Sequence, residues 1–198
     1  MNYYENAVKG LRKMANMQIG LIICSILSII PVINVFAAIA KLVFLIIFLV
    51  GLHQAGKDIE GCAEAFTLYI ILMICALISG CARAIPAFSL IISIIIFVLS
   101  LLVVYRVCIP ISELLEQKGK NDIAELGRTT WVVYIIATVS SVLITVVMVV
   151  VPFSVGALLG IELILTVIDI IATGFYVRFL DKSANALEYE YINSDMEN

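Results

Sequence analysis

A chain of 198 residues that is 63% hydrophobic and only 14% charged cannot hide its apolar surface in a water-soluble fold, since an average soluble domain is about half apolar and about a quarter charged. A formal net charge of -3, with no basic tail, excludes nucleic acid as a partner. The lipid bilayer is the solvent to reason in, and there the backbone must satisfy its own hydrogen bonds, which points to an all-α integral membrane protein of one domain.

At the start of the chain, Lys9, Arg12 and Lys13 precede an apolar run ending in Ala38-Ile39-Ala40, an imitation of a signal peptide and its cleavage site. The run from Met17 is too long for a signal core and a further apolar stretch follows, so the segment is expected to stay as a membrane span. Three apolar blocks follow one another, 17–52, 66–107 and 131–179, each far longer than the ~20 residues that one crossing needs. Each block must turn back on itself, and Pro31-Val32-Ile33-Asn34, the stretch from Gly80 to Pro86, and Pro152-Phe153-Ser154 supply the breaks. The expectation is six transmembrane helices, 17–31, 35–53, 64–81, 86–109, 129–150 and 153–178, arranged as three helical hairpins and joined by short amphipathic connectors at 54–63 and 110–128.

The two connectors resemble each other. Gly56-Lys57-Asp58-Ile59-Glu60 is answered by Gly119-Lys120-Asn121-Asp122-Ile123-Ala124-Glu125, and Phe66-Thr67-Leu68-Tyr69-Ile70-Ile71 by Trp131-Val132-Val133-Tyr134-Ile135-Ile136. Gly56 and Gly119 read as C′ glycines ending a helix, with Asp58 and Asp122 capping the next one. The match suggests a tandem hairpin repeat of about 65 residues, with a third relative in the first block; two similar solutions to one capping problem would look the same. Lys9, Arg12, Lys13, Lys57, Arg106, Lys118, Lys120, Arg128, Arg178 and Lys182 fall on the side shared by termini and connectors, and only Arg83 on the other. The positive-inside rule then places both termini in the cytoplasm and the protein in the plasma membrane. Tyr69, Tyr105, Trp131, Tyr134 and Tyr176 lie near that boundary, where amphipathic rings belong.

Three ionisable residues stand inside the spans, Lys41, Glu162 and Asp169, and a charge in hydrocarbon is expensive enough that each carries a functional hypothesis. Glu162, Thr166, Asp169 and Thr173 share one face of the last helix; Tyr134, Thr138, Ser141 and Thr145 do so on the fifth, and Ser89, Ser93 and Ser100 on the fourth. Three helices can thus line a polar interior that binds a proton, a cation or a small polar solute. The competing account is that the hydroxyls bond their own i-4 carbonyls and that Lys41 pairs with Glu162 while Asp169 reaches Arg106 or His53. Gly156 and Gly160 form a GxxxG spacing suited to close helix packing, within the chain, with another membrane subunit or in a homo-oligomer.

The five cysteines, Cys24, Cys62, Cys75, Cys81 and Cys108, form no CxxC pair and read as small core residues, so no metal and no cofactor is expected. No catalytic motif of a serine, metallo or nucleotide-dependent enzyme occurs; His53 with Cys62 is the one pair a membrane cysteine peptidase would use. Six short-looped spans in a chain of this size resemble, in size and layout alone, the substrate-binding subunits of energy-coupling vitamin importers, and no motif carries a residue across. The functional expectation is a small transporter or membrane-embedded substrate-binding subunit, with a non-transporting immunity, assembly or scaffold protein as the alternative.

Overall fold

The computed structural model describes residues 4–27, 34–81, 86–150 and 155–196. Within them the chain is all helical, with six helices: α1 (Glu5–Leu27), α2 (Asn34–Ala55), α3 (Glu60–Cys81), α4 (Pro86–Gln117), α5 (Asn121–Val150) and α6 (Val155–Met196). Five of them, α2 to α6, are long and apolar enough to cross a membrane. Of the turns expected at 31–34, 80–86 and 152–154, residues 31–33, 82–85 and 152–154 lie outside the described residues, while Gly80 and Cys81 continue α3 and Asn34 and Pro86 open α2 and α4. Each helix packs on its neighbours in sequence and α1 closes on α6, so the six form a ring, crossed only by a slight contact between α4 and α6.

The two ends of this ring differ. Its core gathers at one end, from the first turns of α1, α3 and α5 and the last turns of α2, α4 and α6: Leu11 and Met14, Leu52 and Ala55, Cys62 and Ala65, Val107 and Ile111, Ala124, then Phe179, Leu180 and Leu187. Backbones approach most closely here. A side chain at Gly10 would meet Gly51 O and Ala55 N at 2.5 Å, and one at Gly61 would meet Arg106 O at 2.5 Å as well as the Pro110 ring. Pro110 cannot donate to the Arg106 carbonyl four residues back, and α3 lays Gly61 against the carbonyl so released. The other half of the ring carries an outer belt of exposed Ile19, Ile23, Phe36, Ile39, Ile46, Leu77, Ile94, Ile136, Leu143 and Leu163. An apolar surface that continuous belongs against lipid.

The connectors are shorter than the sequence suggests. Only residues 56–59 part α2 from α3 and only 118–120 part α4 from α5, because Ile111, Leu115 and Ala124 are drawn into the core and keep their turns helical. Gly119 is the left-handed C′ glycine anticipated, at φ 73°, and its motif is complete: Lys120 N donates to Leu115 O and Gly119 N to Glu116 O, both at 2.9 Å. Gly56 corrects that reading. Its φ is not positive, and its requirement is space, since a Cβ would lie 2.8 Å from the Ala63 backbone.

Asp58 also departs from expectation. Its carboxylate accepts from Ala7 N at 2.8 Å and from Asn6 Nδ2 at 3.2 Å, so it caps α1, not α3, and ties the chain start to the α2–α3 turn. Replacing it by alanine should lower stability by about 1 kcal/mol, the usual worth of an N-cap, seen as a lower thermal midpoint in detergent; an unchanged midpoint would show the cap to be idle. Around it the rim is charged: Arg12 donates to Glu188 at 3.0 Å and to Asn185 at 3.1 Å, Lys13 to Gln54 at 2.9 Å, and Arg106 pairs with Glu64 at 2.8 Å. These pairs are exposed and each contributes at most about 1 kcal/mol.

Candidate functional site: a cavity in the helical ring

Directly beyond the packed end, the ring opens into a cavity of about 190 Å³ to which all six helices contribute. The odd helices supply Gln18, Tyr69 and Tyr134 to its wall, and the even helices Phe48, Ser100, Val104, Thr173 and Tyr176. Phe48, Val104 and Tyr176 are also members of the core, so the cavity rests on the packed end as on a floor. Phe48 and Tyr69 meet at 5.2 Å between ring centroids with their planes 47° apart, forming two walls of a corner. Tyr176 is 3% exposed, and its hydroxyl is buried without a hydrogen-bond partner among the described residues. A buried hydroxyl left in that way costs about 1–3 kcal/mol.

The hydroxyls expected to form a polar interior divide into two groups. Thr138 donates to Tyr134 O at 2.7 Å, Ser141 to Ala137 O at 2.9 Å and Ser100 to Phe97 O at 2.8 Å. Their protons serve their own helices, as hydroxyls on membrane helices do. Thr173 lines the cavity itself. Thr166 lies seven residues before it on the same face of α6, half-buried.

Asp169 lies one turn beyond Thr173 on the inner face of α6, and Lys41 one turn beyond Leu45, another wall residue, on α2. Asp169 is within electrostatic reach of Lys41 and of Tyr134, and the acid and base make no direct ion pair. The pairings anticipated from sequence are corrected: Arg106 is bound to Glu64 at 2.8 Å, and the His53 ring lies against Phe66 at 5.0 Å. Glu162 is on α6, but its side chain is outside the described residues, as are those of Ser89 and Thr145. Among the described residues a Cβ at Gly156 or Gly160 would meet nothing within 4 Å. Cys62 is 0% exposed in the core, whereas His53 is exposed.

Sequence reasoning set Tyr69, Tyr134 and Tyr176 at the membrane boundary, and the structure turns all three inward to the cavity. Tyr105 and Trp131 form an edge-to-face pair at 5.4 Å. A signal for the inward rings was present: Tyr69 and Tyr134 are at equivalent places in the two matching segments, and Tyr134 also heads the stripe that continues through Thr138 and Ser141. Gln18 had no such signal. Among the described residues no group of three His, Cys, Asp or Glu side chains is placed to hold a metal ion. Comparisons with protein-family profiles, with curated proteins and with solved structures give no match.

Proposed function

We propose that this chain is a six-span membrane protein, built as three hairpins with termini and connectors cytoplasmic, that binds a small solute in its ring as a transporter or as the substrate-binding subunit of one. The observation that carries the reading is the cavity of about 190 Å³ walled by all six helices, with polar side chains Gln18, Ser100 and Thr173 among the apolar and aromatic ones. The cavity is stoppered on the side of the connectors by the packed core, and the inner-face residues beyond it, Ser93 and Asp169, are exposed. A site closed toward one face and open toward the other is one half of an alternating-access cycle. The excess of basic residues on the packed side supports a cytoplasmic stopper.

The alternative of a non-transporting scaffold calls for a filled interior with its acids ion-paired, and the cavity weighs against it. The test is thermal stability of the purified protein across a panel of amines, amino acids, vitamins and metal ions, repeated on Thr173→Trp, whose indole fills the cavity. A binding solute should raise the midpoint of the wild type, and the variant should lose that response while its own midpoint stays level or rises. A response that survives Thr173→Trp places the solute elsewhere and overturns the reading.

A further inference from the structure

We infer that the cavity is built for a small organic cation, an alkylammonium headgroup enclosed by Phe48, Tyr69, Tyr134 and Tyr176 and balanced by Asp169. The inference rests on the solute-binding reading above and names the class of solute. Four aromatic side chains from four different helices wall a single cavity, at an angle in the pair Phe48 and Tyr69. Rings around a space can turn their negative faces to it, and aromatic cages of that kind are the established means by which proteins hold quaternary ammonium groups.

The polar groups lean the same way. Ser100, on the cavity wall, donates its proton to Phe97 O of its own helix, which leaves its lone pairs as acceptors beside the amide oxygen that Gln18 can offer. Asp169 follows one turn beyond Thr173. An anion would meet this carboxylate and a set of lone pairs. A neutral solute of the same shape would leave the carboxylate unused. Size agrees as well: an apolar cavity of about 150 Å³ takes benzene, and about 190 Å³ suits a molecule slightly larger, of which choline is an example. Among the described residues Lys41 is a cation within electrostatic reach of Asp169, and without a direct ion pair it competes for the carboxylate and does not replace the ligand.

The experiment uses the full chain in lipid nanodiscs, titrated calorimetrically with choline and with its neutral carbon isostere, in which a tert-butyl group replaces the trimethylammonium. Choline should bind at least about tenfold more tightly than the isostere, the upper range of a desolvated cation–π contribution. Tyr134→Leu and Asp169→Asn should each weaken choline by about tenfold with little effect on the isostere. Tyr134→Phe, which keeps the ring face and packing, should retain the preference, and Lys41→Met should tighten choline by removing its competitor. Equal affinity for the two probes overturns the cationic class while leaving a solute cavity in place. Binding of neither probe also overturns it, and the solute reading is then decided by the broader panel on wild type and Thr173→Trp. Weaker choline binding in Lys41→Met would likewise contradict the inference, because it would make the lysine a ligand.

Discussion

Replacing Gly10 by leucine should destabilise the protein by at least about 3 kcal/mol, the upper range of overpacking penalties, because its Cβ would stand 2.5 Å from the backbone of α2 at both Gly51 O and Ala55 N. Neither neighbour is the movable tip of a side chain, so α1 and α2 must separate and carry the core with them. Gly61→Leu should behave alike, against the Arg106 carbonyl and the Pro110 ring of α4. The contrast is with Gly156→Leu and Gly160→Leu, where an added Cβ meets nothing within 4 Å among the described residues and the monomer should be as stable as before. Thermal midpoints and size exclusion in detergent read the result. A dimer lost only in the Gly156 and Gly160 variants would assign that pair to a contact between copies; a Gly10→Leu protein as stable as the parent would refute the tightly packed end.

Asp169→Asn should abolish the response to the bound solute, a loss of tenfold or more, while leaving the thermal midpoint level or higher. The amide preserves shape and removes a charge that is costly at membrane depth. Because Asp169 and Lys41 make no direct ion pair, removing the acid does not strip a contact partner from the base, and the destabilisation of about 3–5 kcal/mol that follows from breaking a buried pair is not expected. If the acid served only to hold α2 and α6 together, the same variant would lose stability, and Lys41→Met in the same chain would restore it. The two accounts thus exchange their outcomes on one protein, and a titration with a melting curve separates them.

The membrane class and the number of helices were legible because they depend on composition and on apolar length, which one sequence states directly. The cavity wall was legible in part: Ser100, Tyr134 and Thr173, which line it, each stood in a polar stripe, since polar residues inside an apolar helix stand out at a spacing of three, four and seven. The aromatic half was harder, because tyrosine at a membrane boundary and tyrosine around a cavity have the same neighbours in sequence, and only the packing of α2, α4 and α6 decides which way Tyr176 turns. The last turns of α6 were missed for a related reason. Asp181, Lys182 and Glu188 make the segment look like a solvated tail, yet Phe179, Leu180, Ser183, Ala184 and Leu187 recur at helical spacing and are all buried. Close approach within the chain was harder to read, because Gly10 and Gly61 sit among charged and polar neighbours, and Gly51 in an apolar run, with no motif to mark them.

The central claim is a lumen open on the side opposite the connectors and stoppered on the connector side, and cysteine accessibility in intact cells tests it most directly. In a chain whose native cysteines are replaced, single cysteines at Thr173, Asp169 and Lys57 are challenged from outside with a membrane-impermeant thiol reagent. The account requires that Asp169→Cys and Thr173→Cys react, that a bound solute protects Thr173→Cys, and that Lys57→Cys reacts only after the cells are opened. Reaction at Lys57→Cys from outside would invert the topology, and silence at both lumen positions from outside would remove the open cavity on which the whole reading stands.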